Sequence, residues 1–427
     1  MKPISPFGLP IGISIAFWSL VGIARFFYEK FIAIPKKTSF TRYKISDIAA
    51  ILPAHNEELV IKDCIQALKD SGLMQNQIYV ASDGSIDKTT KLAKKERVNV
   101  VDINPGKGKA KALVYLIEHF NLYERYKLIF IIDADTRVDK EFVKRALPFF
   151  NNPEIGVVFA ASRIVWPPHI IPRLKLYFVA YRERLNRMLQ YLLIYGQTWK
   201  FASVNYVIPG FCTIYRSNVL SQLEIDTPGL LIEDFNLAFQ FHKKKVGKLG
   251  FNHQLIGWDQ YPDNLMDYVK QVRRWNIGFF QTVRKNGVWP SFFWLTLFVF
   301  STEVLLNSVF VLFLPLLLLY LTSPWIPFSS DVLNSFSNLY SNFGPYRNLT
   351  LGDIWLGTFL IDYLFTVAIG LITRKPQFII YGLFFFIMHF IVSAVLLSSI
   401  IPGFFGKSAG RWVPPTRSAE QLGGAGG

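Results

Sequence analysis

The chain has 427 residues with 51% hydrophobic and 16% aromatic content, 39 of them Phe, and a net charge of +16. Such a length holds one large domain or two ordinary ones, and the apolar share exceeds what a soluble domain needs. Cys64 and Cys212 are far apart, each in an apolar setting, which argues against a disulfide scaffold or a cysteine metal site and in favour of inert buried thiols.

The apolar excess is concentrated in blocks. Pro3–Ala24 contains no charge, Ser291–Thr322 contains only Glu303, Ile354–Thr373 contains only Asp362, and Pro376–Gly406 contains none. Each block reaches the roughly 20 residues that a helix needs to cross a bilayer core. The first is expected to be a retained anchor: no small-residue cleavage site ends it, and it runs on through Arg25-Phe26-Phe27-Tyr28. The second, which contains Pro315, reads as either a bent helix or a tight helix pair. The positive charge collects at Lys30, Lys36, Lys37, Arg42 and Lys44, at Lys270, Arg273, Arg274, Arg284 and Lys285, and at Arg374 and Lys375. All three places are turns beside apolar blocks, which fits cytoplasmic membrane flanks and argues against nucleic-acid binding. The expected arrangement is a multi-pass protein of the cell membrane. Its middle domain is cytoplasmic and its polar loop, Ser323–Gly352, is outside. Lys407, Arg411 and Arg417 then place the tail against the rule.

From residue 45 to 160, short apolar runs alternate with amphipathic patterns, as in a parallel α/β sheet. Strands are expected at Ile48–Leu52, Ile78–Ala81, Val98–Val101 and Leu128–Ile132. Helices are expected at about Glu57–Lys69, with Leu59, Cys64, Ile65 and Leu68 on one face, and at Lys107–Phe120. Ligands of such sheets bind beyond the carboxyl ends of the strands, and Pro53–Glu57, Asp83 and Asp133–Asp135 all sit there.

Asp133-Ala134-Asp135 follows a short apolar strand. Two carboxylates one residue apart can share a divalent cation that also bridges phosphate oxygens, and hard oxygen ligands suit Mg²⁺ or Mn²⁺. Asp83 in Asp83-Gly84-Ser85 has good turn chemistry and can also present its carboxylate to a uracil N–H. Lys107 and Lys109, in a glycine turn at a helix start, are candidates to contact a diphosphate; the spacing does not match an ATPase P-loop. Glu233-Asp234 opens a helical pattern. The pair suits the helix dipole, and Asp234 is the best candidate for a general base. Gln271-Val272-Arg273-Arg274-Trp275 closes a helix begun near Leu265, where Trp275 offers a stacking plane and Gln271 and Arg274 can grip a diphosphate or an acceptor. Phe211–Arg216 reads as a strand lining the acceptor cleft. Arg173–Tyr195 and Asn276–Val288 read as helices lying in the membrane interface. His55 is the one histidine beside the donor cleft.

Pro53-Ala54-His55-Asn56-Glu57, Asp83-Gly84-Ser85, Asp133-Ala134-Asp135, Glu233-Asp234 and Gln271-x-x-Arg274-Trp275 stand in one order. In that order the chain resembles the membrane-integrated family 2 glycosyltransferases of GT-A fold, among them hyaluronan, chitin, poly-N-acetylglucosamine and cellulose synthases. It departs at Ile232, where Thr is usual. The resemblance implies an α/β GT-A nucleotide-diphospho-sugar transferase domain flanked by transmembrane helices. The expected divisions are an anchor at 1–33, the transferase domain at 45–265, interfacial helices at 266–290, a membrane region at 291–406 and a tail at 407–427. It also implies an inverting, UDP-sugar-dependent enzyme with Mg²⁺ or Mn²⁺, extending a β-linked polysaccharide. The alternative is a transferase adding one sugar to a membrane lipid. Pro53, His55, Glu57, Asp83, Lys107, Lys109, Asp133, Gln271 and Arg274 would hold the donor, with Asp135 and Asp133 on the metal. Asp234 with Glu233 would be catalytic, and Trp275 and Phe211 would meet the acceptor.

Overall fold

The computed structural model describes residues 12–32, 41–165, 173–322 and 350–406, with isolated positions between the last two. Its centre is an eight-stranded mixed sheet built from β1 (Ile48–Ala54), β2 (Ile78–Asp83), β3 (Asn99–Ile103), β4 (Leu128–Ile132), β5 (Arg137–Val138), β6 (Ile155–Ile164), β9 (Cys212–Arg216) and β10 (Lys248–Asp259), in the order β3-β2-β1-β4-β9-β6-β10-β5. A small separate ribbon pairs β7 (Thr198–Trp199) with β8 (Ala202–Ser203). The first four main-sheet strands are parallel, as their apolar runs imply. β9 inserts antiparallel between β4 and β6, which the local pattern did not reveal.

Both faces of the sheet are covered. Ile48, Ala50, Leu52 and Ala54 point to one core with Cys64, Ile65 and Leu68 of the Ile61–Asp70 helix. Ala49 and Ile51 point to the other core with Leu113, Leu116 and Ile117 of the Lys109–His119 helix and Leu237 and Phe241 of the Glu233–Lys244 helix. This is the period-2 alternation of a strand buried on both sides. The first helix begins at Ile61 rather than Glu57, and Leu59 is exposed, because Glu57–Val60 forms a turn that holds Glu57 beneath Thr89.

Among the described residues three helices are long and apolar enough to cross a membrane: Phe292–Thr322, Leu351–Thr373 and Phe386–Phe405. The first is a single 31-residue helix with Pro315 inside it, which settles the choice between a bent helix and a pair. The Pro376–Gly406 block divides into Gln377–Gly382 and Phe386–Phe405, and only the second is long enough to span. At the amino end Ile13–Phe27 is helical and passes into a π-turn at Tyr28–Ile32; the start of the expected anchor lies outside the described residues. This helix is held at both ends. The Ser14 amide donates to both oxygens of Glu303, at 3.0 and 3.1 Å. The Arg25 guanidinium donates to the carbonyls of Tyr195 and Phe251, the latter in β10 of the sheet.

Two stretches expected in the membrane interface also pack against the rest of the protein. Arg173–Leu189 is a helix whose Arg182, Glu183, Arg184 and Asn186 are buried. Arg184 reaches Asp362 and Thr366 of a membrane helix, and Glu183 pairs with Lys375 at 2.9 Å. Charged side chains buried this way need partners, and these partners come from another element, beyond the reach of a helical pattern. Likewise Leu265–Asn286 is one helix, with Gln271–Trp275 in its first half and Gly278, Phe280, Gln281 and Thr282 buried in its second. It packs against Phe386–Phe405 so closely that a Cβ on Gly403 would lie 2.5 Å from the Phe280 Cβ.

Candidate active site

The carboxyl ends of β1, β2 and β4 lie side by side. Asp83 ends β2 and Asp133 follows β4, separated by β1 and so by about 10 Å of sheet. The Asp83 carboxylate accepts the amides of Lys107 at 2.6 Å and Gly108 at 2.7 Å. It thereby ties the glycine turn 104–108 to the sheet edge. Gly84, at φ 66, and Gly106 meet there, and a Cβ on Gly84 would be 2.8 Å from the Gly106 nitrogen. His55 Nδ1 lies 2.6 Å from the Asp83 carbonyl, which only accepts, so Nδ1 carries the proton.

Asp133 is placed by its amide, which donates to the Phe211 carbonyl at 2.9 Å. The Lys109 ammonium lies 2.8 Å from Asp133 Oδ1 and 2.9 Å from Glu233 Oε1, bridging a strand end and a helix start. Burial works against its charge, but Asp133, Glu233 and Asp234 outweigh that and hold its pKa well above the usual lysine range. Burial pushes Asp133 up, Lys109 opposes and Asp135 reinforces. Burial also opposes the charge on Glu233, yet Lys109 and hydrogen bonds keep its pKa low. Asp234 goes the other way: burial, then the neighbouring Glu233 charge, raise it to about 8. Two adjacent carboxyls with opposite shifts are suited to different roles, one as an ionised partner and one as a proton acceptor. Asp234 Oδ1 is buried without a hydrogen-bond partner.

On the facing helix, burial lowers the Arg274 pKa while Glu233, Asp234 and Asp133 raise it. Gln271 Oε1 and Arg274 Nε are also buried without partners. One face of Trp275 is stacked by the Arg182 guanidinium, whose carbon is 4.5 Å from the ring centre, and Arg182 has the Tyr261 ring 4.6 Å away as well.

All the residues named from the sequence as donor, acceptor, metal or catalytic candidates border one cavity of about 740 Å³. Phe211 borders it just before β9, while Cys212–Arg216 is buried in the sheet, so the strand supplies the wall's backing and only its first neighbour meets the cleft. The cavity continues from the strand ends to Leu297, Phe300, Val304 and Leu305 of one membrane helix and Val392 and Leu396 of another. Sequence reading missed Arg182, Asp259 and Tyr261 on its wall. Asp259 ends β10 and accepts from Ser162 Oγ at 2.9 Å; only the pairing of β10 with β6 brings them together. Both cysteines are free and buried, as expected, and burial pushes both thiols up.

Among the described residues no cluster of three or more His, Cys, Asp or Glu is arranged to hold a metal alone. Asp133 and Asp135 nonetheless fit Mg²⁺ or Mn²⁺. They offer hard oxygens at one turn, closed by the Thr136 amide on the Asp133 carbonyl, and Asp135 raises the Asp133 pKa, a repulsion that a cation relieves. Such ions take one or two carboxylates and complete their shell with phosphates and water.

The family model for glycosyl transferase family 2 matches residues 49–222. A poly-beta-1,6-N-acetyl-D-glucosamine synthase of Staphylococcus aureus is 24% identical over 276 residues, 63% of each chain. A probable glycosyltransferase of Bacillus subtilis is 25% identical over 296 residues, covering 63% of this chain and 66% of its own. The chain thus spans less than two thirds of the length of these relatives. A mannosyltransferase from Pyrobaculum calidifontis, solved with GDP-Man and Mn²⁺, covers 93% of this chain and 99% of its own with a TM-score of 0.51 at 13% identity. That likeness shows a shared fold: a GT-A-like mixed sheet with candidate membrane helices flanking it.

Proposed function

Residues 49–222 form a glycosyl transferase family 2 domain, and from that premise we propose that the protein transfers sugar from a UDP-sugar, with inversion, to extend a β-linked polysaccharide at the cytoplasmic face of the cell membrane. One observation carries the reading. The carboxylates of Asp83, Asp133, Asp135 and Asp234 and the Gln271–Trp275 segment line a single cavity that opens toward the membrane helices. The poly-N-acetylglucosamine synthase relative supports a polymer as product.

Glu57, Asp83, Pro53 and His55 border the end of the cavity suited to the nucleoside, and Lys107, Gln271 and Arg274 offer donors to the diphosphate. Asp133 and Asp135 would hold Mg²⁺ or Mn²⁺, which neutralises diphosphate charge and eases departure of the nucleotide. Asp234, which borders the cavity and whose Oδ1 has no hydrogen-bond partner, accepts the proton of the acceptor hydroxyl as that oxygen attacks the anomeric carbon on the face away from the diphosphate. Lys109 keeps Glu233 ionised beside it, and that charge in turn raises the basicity of Asp234. Trp275 and Phe211 border the acceptor side.

A second reading, transfer of one sugar to a membrane lipid, is favoured by a specific feature. The membrane end of the cavity is lined by Leu297, Phe300, Val304, Leu305, Val392 and Leu396, which suit an acyl or isoprenoid chain better than a hydroxyl-rich polymer. Full-length protein in lipid nanodiscs, given labelled UDP-sugars with Mg²⁺ or Mn²⁺, separates the two by product size. High-mass polymer is expected; a labelled lipid replaces that reading with the second, and no turnover with any donor overturns both.

A further inference from the structure

Of the six described residues on the cavity wall with an unpartnered buried polar atom, Asp234, Gln271 and Arg274 have a role above. Gln260, Asn276 and Arg182 have none, and of these three Arg182 alone is charged. It is 8% exposed, its Nε–H has no hydrogen-bond partner, and it borders the same cavity. Native structures rarely leave a buried N–H unpaired unless a ligand or water completes it.

Its surroundings narrow the ligand. The guanidinium carbon lies 4.6 Å from the Tyr261 ring centre and 4.5 Å from that of Trp275, so the unpaired Nε–H on its edge remains for a partner. The residues that face it leave that Nε–H unpaired: the Tyr261 and Tyr268 hydroxyls bond its other donors, and the Asp259 carboxylate accepts from Ser162 Oγ. Its backbone is rigidly set, because the next two residues bind elsewhere, Glu183 to Arg187 and Lys375 and Arg184 to Asp362. On the same cavity wall are two more open N–H donors, Arg274 Nε and Asn276 Nδ2. Two buried guanidiniums with open donors in one cavity are the chemistry of phosphate recognition.

We propose that Arg182 is a substrate-contacting residue whose guanidinium edge binds a phosphate group, either the diphosphate of the donor or a phosphate carried by a lipid acceptor. The inference rests on the cavity being the transfer site, and its test measures binding rather than turnover. Full-length wild type, Arg182→Ala and Arg182→Lys in detergent are titrated calorimetrically with UDP, with GDP, and with phosphatidic acid in mixed micelles, with melting curves as controls of folding. Arg182→Ala is expected to weaken one ligand class at least tenfold, and Arg182→Lys to recover part of the loss. Loss confined to nucleotides assigns the group to the donor, and loss confined to phosphatidic acid assigns it to the acceptor. Unchanged affinity for both classes overturns the proposal, and where Arg182→Ala does not fold, the same result in Arg182→Lys overturns it. Arg182→Met keeps an unbranched stem between the two rings; full affinity in that variant also overturns it, since the role is then packing. Wild type that binds neither nucleotide counts against the proposed function, and the phosphatidic acid titration then decides the role of Arg182 alone.

Discussion

Gly210 and Asp234 pack so tightly that the absence of a side chain on one sets the position of the other. A Cβ on Gly210 would collide with Asp234 Oδ1 and lie 3.1 Å from Asp234 Cγ and from Lys109 Nζ. Gly210→Ala must therefore displace the carboxyl proposed to take the acceptor proton. A displacement on the ångström scale at a reacting group costs on the order of 10²-fold in rate. The expected outcome is a kcat lowered by about that factor with UDP affinity retained, checked by steady-state kinetics and calorimetry.

Asp234 titrates at about 8, because burial and the Glu233 charge raise it. A base must be ionised to act, so kcat/KM is expected to climb with pH and level off above about 8. The same shift has a sign for stability. A carboxyl whose folded pKa is raised stabilises the fold at low pH, and that contribution is lost as pH rises through about 8. Asp234→Asn should abolish transfer while sparing UDP binding and remove this limb. A rate profile that is flat between pH 6 and 9 would count against Asp234 as the base.

Lys109 compensates Asp133 and Glu233 at once. Lys109→Met leaves two largely buried carboxylates without their cation. Breaking a buried pair costs about 3 kcal/mol or more, so a clear fall in melting temperature is expected. Turnover should fall with it, since Glu233 then loses the cation that keeps it ionised.

Arg184 and Asp362 join the Arg173–Leu189 helix to a membrane helix. Arg184→Ala alone leaves the Asp362 carboxylate with only His389, 3.5 Å away, in place of its guanidinium partner and should lower the melting temperature in detergent. The double variant Arg184→Ala with Asp362→Ala should melt above Arg184→Ala, because neither charge is left unpaired. A double variant no more stable than Arg184→Ala would show that the pair is not coupled.

Chelation should stop turnover and weaken UDP binding, and Mg²⁺ or Mn²⁺ should restore both. Asp135→Ala should reproduce the chelated state without metal rescue. UDP affinity indifferent to chelator would remove Asp133 and Asp135 from the role of ligands.

Much of the fold was legible in local pattern. The strand at Leu128–Ile132 and the helix start at Glu233 lie where the sequence places them, because an apolar run bounded by an acid and a paired acid at a helix start are signals complete within a few residues. The cavity-lining set was legible for a similar reason: most members sit at a strand end or helix start marked by their neighbours, and Gln271, Arg274 and Trp275, though inside the Leu265–Asn286 helix, form a compact motif of their own. β9 was less so. Its strand character shows in Cys212–Arg216, but whether it lines a cleft or fills the sheet depends on β4 and β6, which flank it from far away in the chain. The packing of the helices at Arg173–Leu189 and Leu265–Asn286 was not legible, because the partners of Arg184 and Glu183 and the contact of Phe280 with Gly403 come from elements far away in the chain.

What the sequence determined by itself was therefore the chemistry available and its order: carboxylates at strand ends, a base at a helix start, an Arg-Trp segment before the membrane blocks. Only the tertiary structure decided which charges face one another. It brought Lys109 between Asp133 and Glu233, raised Asp234 beside Glu233, and set Arg182 between Tyr261 and Trp275. The reason is physical. Residue type and spacing are local properties, whereas burial and Coulomb interactions depend on distances between elements that no local pattern encodes.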